Sequence, residues 1–167
     1  KEGPGPTMKI DDPLFDSEEL LGIISKDLKA AFDIREVIAR VVDGSRFEEF
    51  KTNYDANLIC GWSSIHGFPV GIVANNGPLF PKGGAKGAQF VQLCNMSNTP
   101  IIFLHNVPGM MVGTEYEQGG MIKDGAKMIN AISCSTVPHI SIVRGGSYGA
   151  GSFAMSSPKF DTRFTFM

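Results

Sequence analysis

The sequence lacks the features that assign a chain to several large classes of protein. Its longest apolar runs, 101–104 and 140–143, fall far short of the ~20 residues needed to cross a bilayer. Its 15 basic residues are scattered rather than gathered into a stripe, and the formal net charge is −2. We therefore expect no nucleic-acid partner and no membrane partner. We also expect no signal or transit peptide and interpret the chain as soluble.

Patterns typical of metal sites and disulfide frameworks are also missing. The three cysteines, Cys60, Cys94 and Cys134, are odd in number, lie far apart and form no CxxC pair. Each lies in an apolar stretch, so we interpret all three as small buried residues of a protein in a reducing compartment. No group of His, Cys and carboxylate residues has metal-ligand spacing, and we expect no metal in this domain.

Glycine and phenylalanine are plentiful, with 20 Gly and 12 Phe among 167 residues, and 43% of the chain is apolar. This composition is sufficient for one sizeable core. The Pro/Gly-rich start is typical of a linker, which we place at residues 1–12. The strand-like stretch at 163–167 stops without a turn. We therefore interpret residues 13–167 as one domain, cut at its C-terminus from a larger protein.

Two short helices and a β-hairpin are predicted in the first half of the chain. Asp16 and Asp33 have the position of helix N-caps, the second with Glu36 at capping-box spacing. The strand-like residues 58–65 and 70–74 then flank a short turn. We interpret His66, in that turn, as a turn residue rather than a ligand.

The remainder alternates apolar helices with buried, Pro-led strands. Two units of helix, strand and glycine-bearing loop are predicted, with helices at 87–97 and 119–133, strands at 100–104 and 138–143, and loops at 107–113 and 144–151. Such a succession predicts an α/β fold with a largely parallel sheet and right-handed crossovers. Because ligands of these sheets gather at the C-terminal strand ends, both loops are expected at the site.

The loop at 144–151 is the strongest candidate for chemistry. Gly145, Gly146, Gly149 and Gly151 remove side chains where a strand turns into a helix, which leaves backbone N–H groups able to meet an anionic oxygen. Two such donors form an oxyanion hole. Alternatively, the glycines only permit close packing of helix on strand. In the other loop, Met110 is either a ligand wall or core filler, and core filler is favoured.

Ser147 offers a different interpretation, because residues 145–149 satisfy G-x-S-x-G, the pattern of a nucleophile elbow. A serine hydrolase of that kind needs an acid and a histidine after the serine. His66, His105 and His139 all precede Ser147. The hydrolase therefore stays a minor alternative, and a non-catalytic assembly domain is another.

Four segments of the sequence resemble those of a known family: DIREVIARVVDGSRF at 33–47, VGIVANNG at 70–77, KDGAKM at 123–128 and GGSYGAG at 145–151. They closely resemble the β-type carboxyltransferase subunits of biotin-dependent acyl-CoA carboxylases, and look most like the methylcrotonyl-CoA and geranyl-CoA branch. The resemblance covers nearly all residues beyond 12. It implies a crotonase-like (Clp-protease-like) superhelix of stacked ββα units.

The resemblance also implies a ligase reaction, a cofactor and partners. A separate biotin carrier domain brings in carboxybiotin, and the CO2 it yields is attacked by the enolate of an acyl-CoA. The amides of Ala150 and Gly151 match the family's oxyanion hole for biotin, whereas the CoA-side hole belongs to an N-domain of another subunit. The implied partners are a biotin carboxylase/biotin carrier subunit and further copies in a homo-oligomer, in the bacterial cytoplasm or the mitochondrial matrix.

Further biotin-binding and substrate-binding residues follow from the same likeness: Gly149, Tyr148, Phe153, Pro108, Gly109 and Met110. Phe153 stands where acetyl and propionyl enzymes carry an acid, and an apolar ring there favours a larger or branched acyl group. In contrast, Val107-Pro108-Gly109 follows the propionyl-CoA carboxylase pattern. The resemblance therefore makes a 3-methylcrotonyl-CoA-like substrate the first choice, and propionyl-CoA or acetyl-CoA the second.

Overall fold

The computed structural model describes residues 5–23, 32–107, 121–147, 154–156 and 162–166, without the side chains of residues 107, 121 and 144–147. The helices and strands of these residues are, in chain order, α1 (Leu20–Ile23), α2 (Ile34–Ala39), β1 (Glu48–Glu49), β2 (Leu58–Ile65), β3 (Phe68–Asn75), α3 (Pro81–Met96), β4 (Ile101–Val107), α4 (Met121–Ser133), β5 (His139–Ser147) and β6 (Phe164–Phe166). Short 3-10 helices lie at Ser17–Glu19 and Asp43–Ser45.

Both predicted N-caps are confirmed. The Asp16 carboxylate accepts a hydrogen bond from a backbone amide two residues on, and so does that of Asp33, from the Arg35 amide at 3.0 Å. At the capping-box position, the Glu36 carboxylate accepts from the Arg40 guanidinium at 2.7 Å. This bond spans one helical turn and stabilises the short α2 at its C-terminal end.

The predicted β-hairpin is confirmed, with β2 and β3 paired in antiparallel register from Leu58↔Asn75 to Ile65↔Phe68. His66 and Gly67 form the two-residue turn, both with positive φ, 49° and 76°. This left-handed pair matches the twist of the flanking strands. His66 is thus a turn residue, as the sequence predicts.

The six strands of the described residues form one sheet in the order β1-β2-β3-β4-β5-β6. The first three strands pair antiparallel, and the pairs β3–β4, β4–β5 and β5–β6 are parallel. Parallel neighbours require long crossovers, which α3 and α4 provide. The predicted α/β architecture with a mostly parallel sheet is therefore confirmed.

The two faces of the sheet are covered by different elements. On one face lie α3 and α4, and Phe90, Phe103 and Met128 are fully buried there. On the other face, α2 packs over β2 and β3 and buries Ile38 and Ile72. Burial of one large apolar side chain contributes ~1.5–3 kcal/mol, so the two layers hold the central strands from both sides.

Helix α3 begins at Pro81, six residues before the predicted start, because Gly83 and Gly84 lie inside the helix. Pro81 suits the first helical position, where its missing N–H would have no partner within the helix. A Cβ on Gly84 would lie only 2.7 Å from the Asp124 carbonyl oxygen of α4. The glycine that looks like a helix breaker in the sequence therefore permits close contact between two helices.

Both parallel strands after α3 are longer than predicted. Strand β4 continues to Val107, and β5 continues to Ser147 instead of ending at residue 143. The stretch 144–147, predicted as the first part of a loop, is thus extended backbone. Its glycines are compatible with a strand although they weaken it.

One cysteine differs from the prediction. Cys60 and Cys94 are fully buried, as expected, whereas Cys134 is exposed just after α4. Burial raises the pKa of the Cys60 thiol well above its ordinary value, and that of Cys94 to about 12. These two thiols behave as small apolar core groups.

Residues predicted as linker contact the hairpin turn. The amides of Thr7 and Met8 both donate to the Gly67 carbonyl at 2.9 Å, and the Asp11 carboxylate accepts from the Arg46 guanidinium at 2.7 Å. This segment therefore has a defined position on the surface of the sheet. Within the described part of the chain, no helix is both long enough and apolar enough to cross a membrane.

Candidate functional site

The ends of β4 and β5 lie side by side at one edge of the sheet. Val107 pairs with Ser147, and the register shifts between His105 and Val107. Irregularities of this kind redirect a strand and are common next to active sites. The chain segments that follow these two strands therefore leave from the same edge, as the sequence predicts.

The eight residues assigned to the site from the sequence all lie outside the described residues: Pro108, Gly109, Met110, Tyr148, Gly149, Ala150, Gly151 and Phe153. Their roles stay predictions. The structure describes instead the strand ends that precede them and the segment 154–156 that follows the second group.

The segment after the glycine-rich stretch is firmly anchored. Ala154 and Met155 are buried in the main core, and Ser156 is buried with a positive φ of 57°. The Ser156 carbonyl accepts hydrogen bonds from the Ser141 hydroxyl at 2.7 Å and from the Thr162 hydroxyl at 3.4 Å. A non-glycine residue in this conformation is unusual, and these bonds offset its cost.

His139, at the start of β5, also contacts the 154–156 segment. Its Nδ1 lies 3.0 Å from Ser156 Oγ and its Nε2 lies 2.8 Å from Ser135 Oγ, while its ring packs edge-on against Phe103. Burial lowers the pKa of His139 below its ordinary value. The imidazole is therefore neutral at physiological pH and connects β5 to the 154–156 segment and to Ser135, which follows α4.

His105 lies in β4 close to the same edge and is also buried. Burial lowers its pKa to about 4, against a hydrogen bond with the Met155 backbone that acts in the opposite direction. A histidine of this kind stays neutral near pH 7. His105 thus places no positive charge close to this edge, whereas His139 lies at the other end of β5, where it pairs with Ile101.

A side-chain amide joins β3 to β4 where their backbone ladder stops. Asn75, at 1% exposure, accepts from the Asn106 amide at 2.8 Å and donates to the Asn106 carbonyl at 2.7 Å. It also donates to the Gly77 carbonyl at 2.9 Å. Its carboxamide therefore fixes the backbone two residues before Pro108.

The neighbouring Asn76 makes a different connection. It accepts a hydrogen bond from the Ile34 amide at 2.7 Å and donates to the Asp33 carboxylate at 3.0 Å. These bonds hold the N-terminus of α2 at the end of β3. The sequence argument singled out neither asparagine as functional, although both follow the predicted apolar strand 70–74 and belong to the family-like segment 70–77.

An apolar cavity of about 280 Å³ lies between α2 and the sheet. Among the described residues that line it, His105 is the polar one, and the others include Ile38, Ile72 and Leu104. Such walls can hold an apolar group but cannot stabilise a developing charge. Among the described residues, no three His, Cys, Asp or Glu side chains come together as a metal-binding group.

Comparison with known proteins gives a consistent result. The carboxyl transferase domain model matches residues 2–167. Among curated relatives, the probable biotin-dependent acyl-coenzyme A carboxylase beta2 subunit of Mycobacterium tuberculosis is 55% identical over 167 residues, 99% of this chain and 31% of that protein. The mitochondrial methylcrotonoyl-CoA carboxylase beta chain of Dictyostelium discoideum is 50% identical, over 100% of this chain and 29% of that protein.

A solved structure agrees with these relatives. The P. aeruginosa geranyl-CoA carboxylase beta subunit matches with a TM-score of 0.91 and 49% sequence identity, over 96% of this chain and 31% of that chain. The present chain thus spans about a third of the length of the curated relatives it matches.

Proposed function

The chain belongs to the carboxyl transferase domain family, and on that premise we propose that it forms the carboxybiotin-binding half of a carboxyltransferase site. In this proposal CO2 passes from carboxybiotin, delivered by a biotin carrier domain, to the α-carbon of an acyl-CoA, and the α-proton lost in forming the enolate goes to the biotin nitrogen that the CO2 leaves. The domain comprises residues 13–167, and residues 1–12 lead into it.

The observation that carries this proposal is the family match over nearly the whole chain, with relatives named for biotin-dependent acyl-CoA carboxylation. The described geometry supports it, because β4 and β5 end side by side at Val107 and Ser147. Two glycine-bearing segments then leave from one edge, which is where parallel sheets bind ligands.

We assign the chemistry of this half-site to main-chain amides. The N–H groups of Ala150 and Gly151 would donate to the biotin ureido oxygen as negative charge develops there, and fixed donors of this kind need no proton transfer. Positioning of the two reactants supplies much of the remaining rate.

The other half of the site is proposed to come from a second subunit. A donor pair for the thioester enolate is required, and in this proposal it belongs to an N-domain that residues 1–167 do not include. We therefore expect a homo-oligomer that works with a biotin carboxylase/biotin carrier subunit. Isolated residues 1–167 should not carboxylate acyl-CoA with free biotin, and measurable turnover would contradict the half-site proposal.

For the substrate, we propose a branched or unsaturated acyl group, with 3-methylcrotonyl-CoA as the first choice and propionyl-CoA or acetyl-CoA as the second. The relatives named for methylcrotonoyl-CoA and geranyl-CoA support this choice, as does the apolar Phe153. A bacterial and a mitochondrial relative support the bacterial cytoplasm or the mitochondrial matrix as the compartment.

The test uses a chimera in which residues 1–167 replace the matching third of the geranyl-CoA carboxylase beta subunit. Gly151→Pro removes one N–H donor, so transfer should fall ~100-fold or more. Gly151→Ala keeps the donor and is the matched control, which should retain most of the transfer. Urea unfolding checks that the Gly151→Pro variant is folded. The proposal is wrong if the folded variant transfers CO2 at the parental rate.

A serine hydrolase would behave differently in the same chimera. Ser147→Ala should leave carboxyl transfer unchanged, because the proposed role of this segment depends on amides and not on a hydroxyl. Labelling of Ser147 by a fluorophosphonate, lost in Ser147→Ala, would favour hydrolysis instead. Transfer that survives both Gly151→Pro and deletion of 148–151 would favour a purely structural assembly role.

A further inference from the structure

We propose that Asn75 is a positioning residue for the segment 107–113, which carries the predicted substrate wall at Pro108, Gly109 and Met110. Its carboxamide takes the place of a strand beside the end of β4 and so fixes the direction in which the chain leaves the sheet. This inference rests on the proposed function, because it gives a role to the segment that the proposed site uses.

The first argument is the arrangement of backbone pairing. Strands β3 and β4 pair from Gly71↔Ile101 to Ala74↔Leu104, and their backbone ladder stops there. On the other side of β4, the pairing with β5 is irregular between His105 and Val107. The chain at Asn106 therefore lies between the end of one ladder and a shift in the other.

The second argument is the chemistry of the contact. Asn75 binds both backbone groups of Asn106, with its oxygen on the N–H and its nitrogen on the carbonyl. A neighbouring strand would supply the same donor and acceptor. A carboxamide presents both at once, whereas a carboxylate supplies only acceptors and leucine of similar size supplies neither.

The third argument is that the contact between Asn75 and Asn106 is restrained and shielded from water. Asn75 is 1% exposed, so water does not replace a lost bond at that side chain. Its third bond, to the Gly77 carbonyl at 2.9 Å, restricts rotation of the amide group. The position of Asn106 is therefore coupled to the end of β3, which is held in the hairpin with β2.

Asn76, the residue directly after β3, provides a matched control. It is the same residue type, one position on, and its side chain makes two described hydrogen bonds, to Ile34 and Asp33 at the start of α2. Loss of Asn76 side-chain bonds should thus disturb α2 and leave the end of β4 in place.

The first measurement is steady-state transfer in the chimera defined above, with Asn75→Leu and Asn76→Leu. We expect Asn75→Leu to raise the acyl-CoA KM at least tenfold and to lower kcat, because the substrate wall is displaced. A loss of folded protein alone would lower kcat with KM unchanged. Asn76→Leu should keep KM within twofold of the parent.

The second measurement does not depend on catalysis. Hydrogen exchange of the 167-residue chain, followed at the Asn106 amide, should become at least tenfold faster in Asn75→Leu and stay within twofold in Asn76→Leu. Equal exchange at Asn106 in both variants, or an unchanged acyl-CoA KM in an active Asn75→Leu chimera, would overturn the inference. An inactive parental chimera would count against the proposed function alone, since the exchange result stands separately.

Discussion

Replacing Gly84 by alanine tests whether α3 and α4 meet through their backbones. A Cβ at this position would lie 2.7 Å from the carbonyl oxygen and 2.9 Å from the carbonyl carbon of Asp124. Both are main-chain atoms, so side-chain rotation does not relieve the overlap and the helices must separate. Overpacking costs up to ~3 kcal/mol, whereas alanine is favoured over glycine in a helix by about 1 kcal/mol. We expect a net loss of about 2 kcal/mol in the free energy of unfolding.

The single tryptophan of the chain makes the assay direct. The Trp62 ring centroid lies 4.8 Å from that of Phe90, which belongs to α3. Tryptophan fluorescence therefore reports the loss of the α3 layer during urea unfolding. At a slope of ~2 kcal/mol per molar urea, the midpoint of Gly84→Ala should fall by about 1 M, and its melting temperature should fall by about 4–8 °C.

Alanine substitutions at two other glycines serve as controls. A Cβ on Gly22 would meet no atom within 4 Å, so Gly22→Ala should leave the midpoint unchanged or raise it. A Cβ on Gly87 would meet the flexible end of Met128 at 2.7 Å, and Gly87→Ala should cost less than Gly84→Ala because that side chain can move. An unchanged or higher midpoint for Gly84→Ala would refute the backbone contact between α3 and α4.

Two further predictions concern buried titrating groups. A thiol reagent at pH 8 should label Cys134 alone in the native chain and all three cysteines in denaturant, because burial keeps Cys60 and Cys94 protonated; rapid native labelling of either would contradict their burial. For His105, the folded-state pKa of about 4 lies below the unfolded value of 6.5. The unfolded chain therefore binds more protons between these pH values, and the free energy of unfolding falls as the pH drops from 6.5 to 4. This loss is about 3 kcal/mol at most. His105→Gln should reduce the slope of the urea midpoint against pH, and an equal slope in the variant would contradict the lowered pKa of His105.

Much of the fold could be predicted from local pattern. Apolar runs led by Pro100 and Pro138, each followed by glycine and a helix, predict parallel strands, and β4 and β5 are those strands. The start of α3 could not be predicted in the same way. Gly84 reads as a breaker by propensity, and its actual role depends on Asp124, a residue of the next helix that only tertiary packing brings near. The family resemblance and the crotonase-like fold it implies are confirmed by the comparisons.

For the candidate site, the sequence correctly predicts the edge of the sheet at which β4 and β5 end. The donors assigned to Ala150 and Gly151 stay predictions, because they lie outside the described residues. Two buried polar contacts of the segments around the predicted site escaped the sequence argument, because each joins residues far apart in the chain. His139 meets Ser156 after 17 residues and Asn75 meets Asn106 after 31, and no local periodicity encodes such pairs.

The strand order has a consequence for how the chain acquires its fold. Strands take their places in the sheet in the order in which a ribosome supplies them, from β1 to β6. Among the described strands, each one that emerges can pair with a neighbour that is already formed, and none has to be inserted between two earlier ones. Since synthesis proceeds at ~5–20 residues per second, each unit has seconds to settle before the next emerges. Assembly of this sheet can therefore be vectorial, with every completed strand acting as the template for its successor.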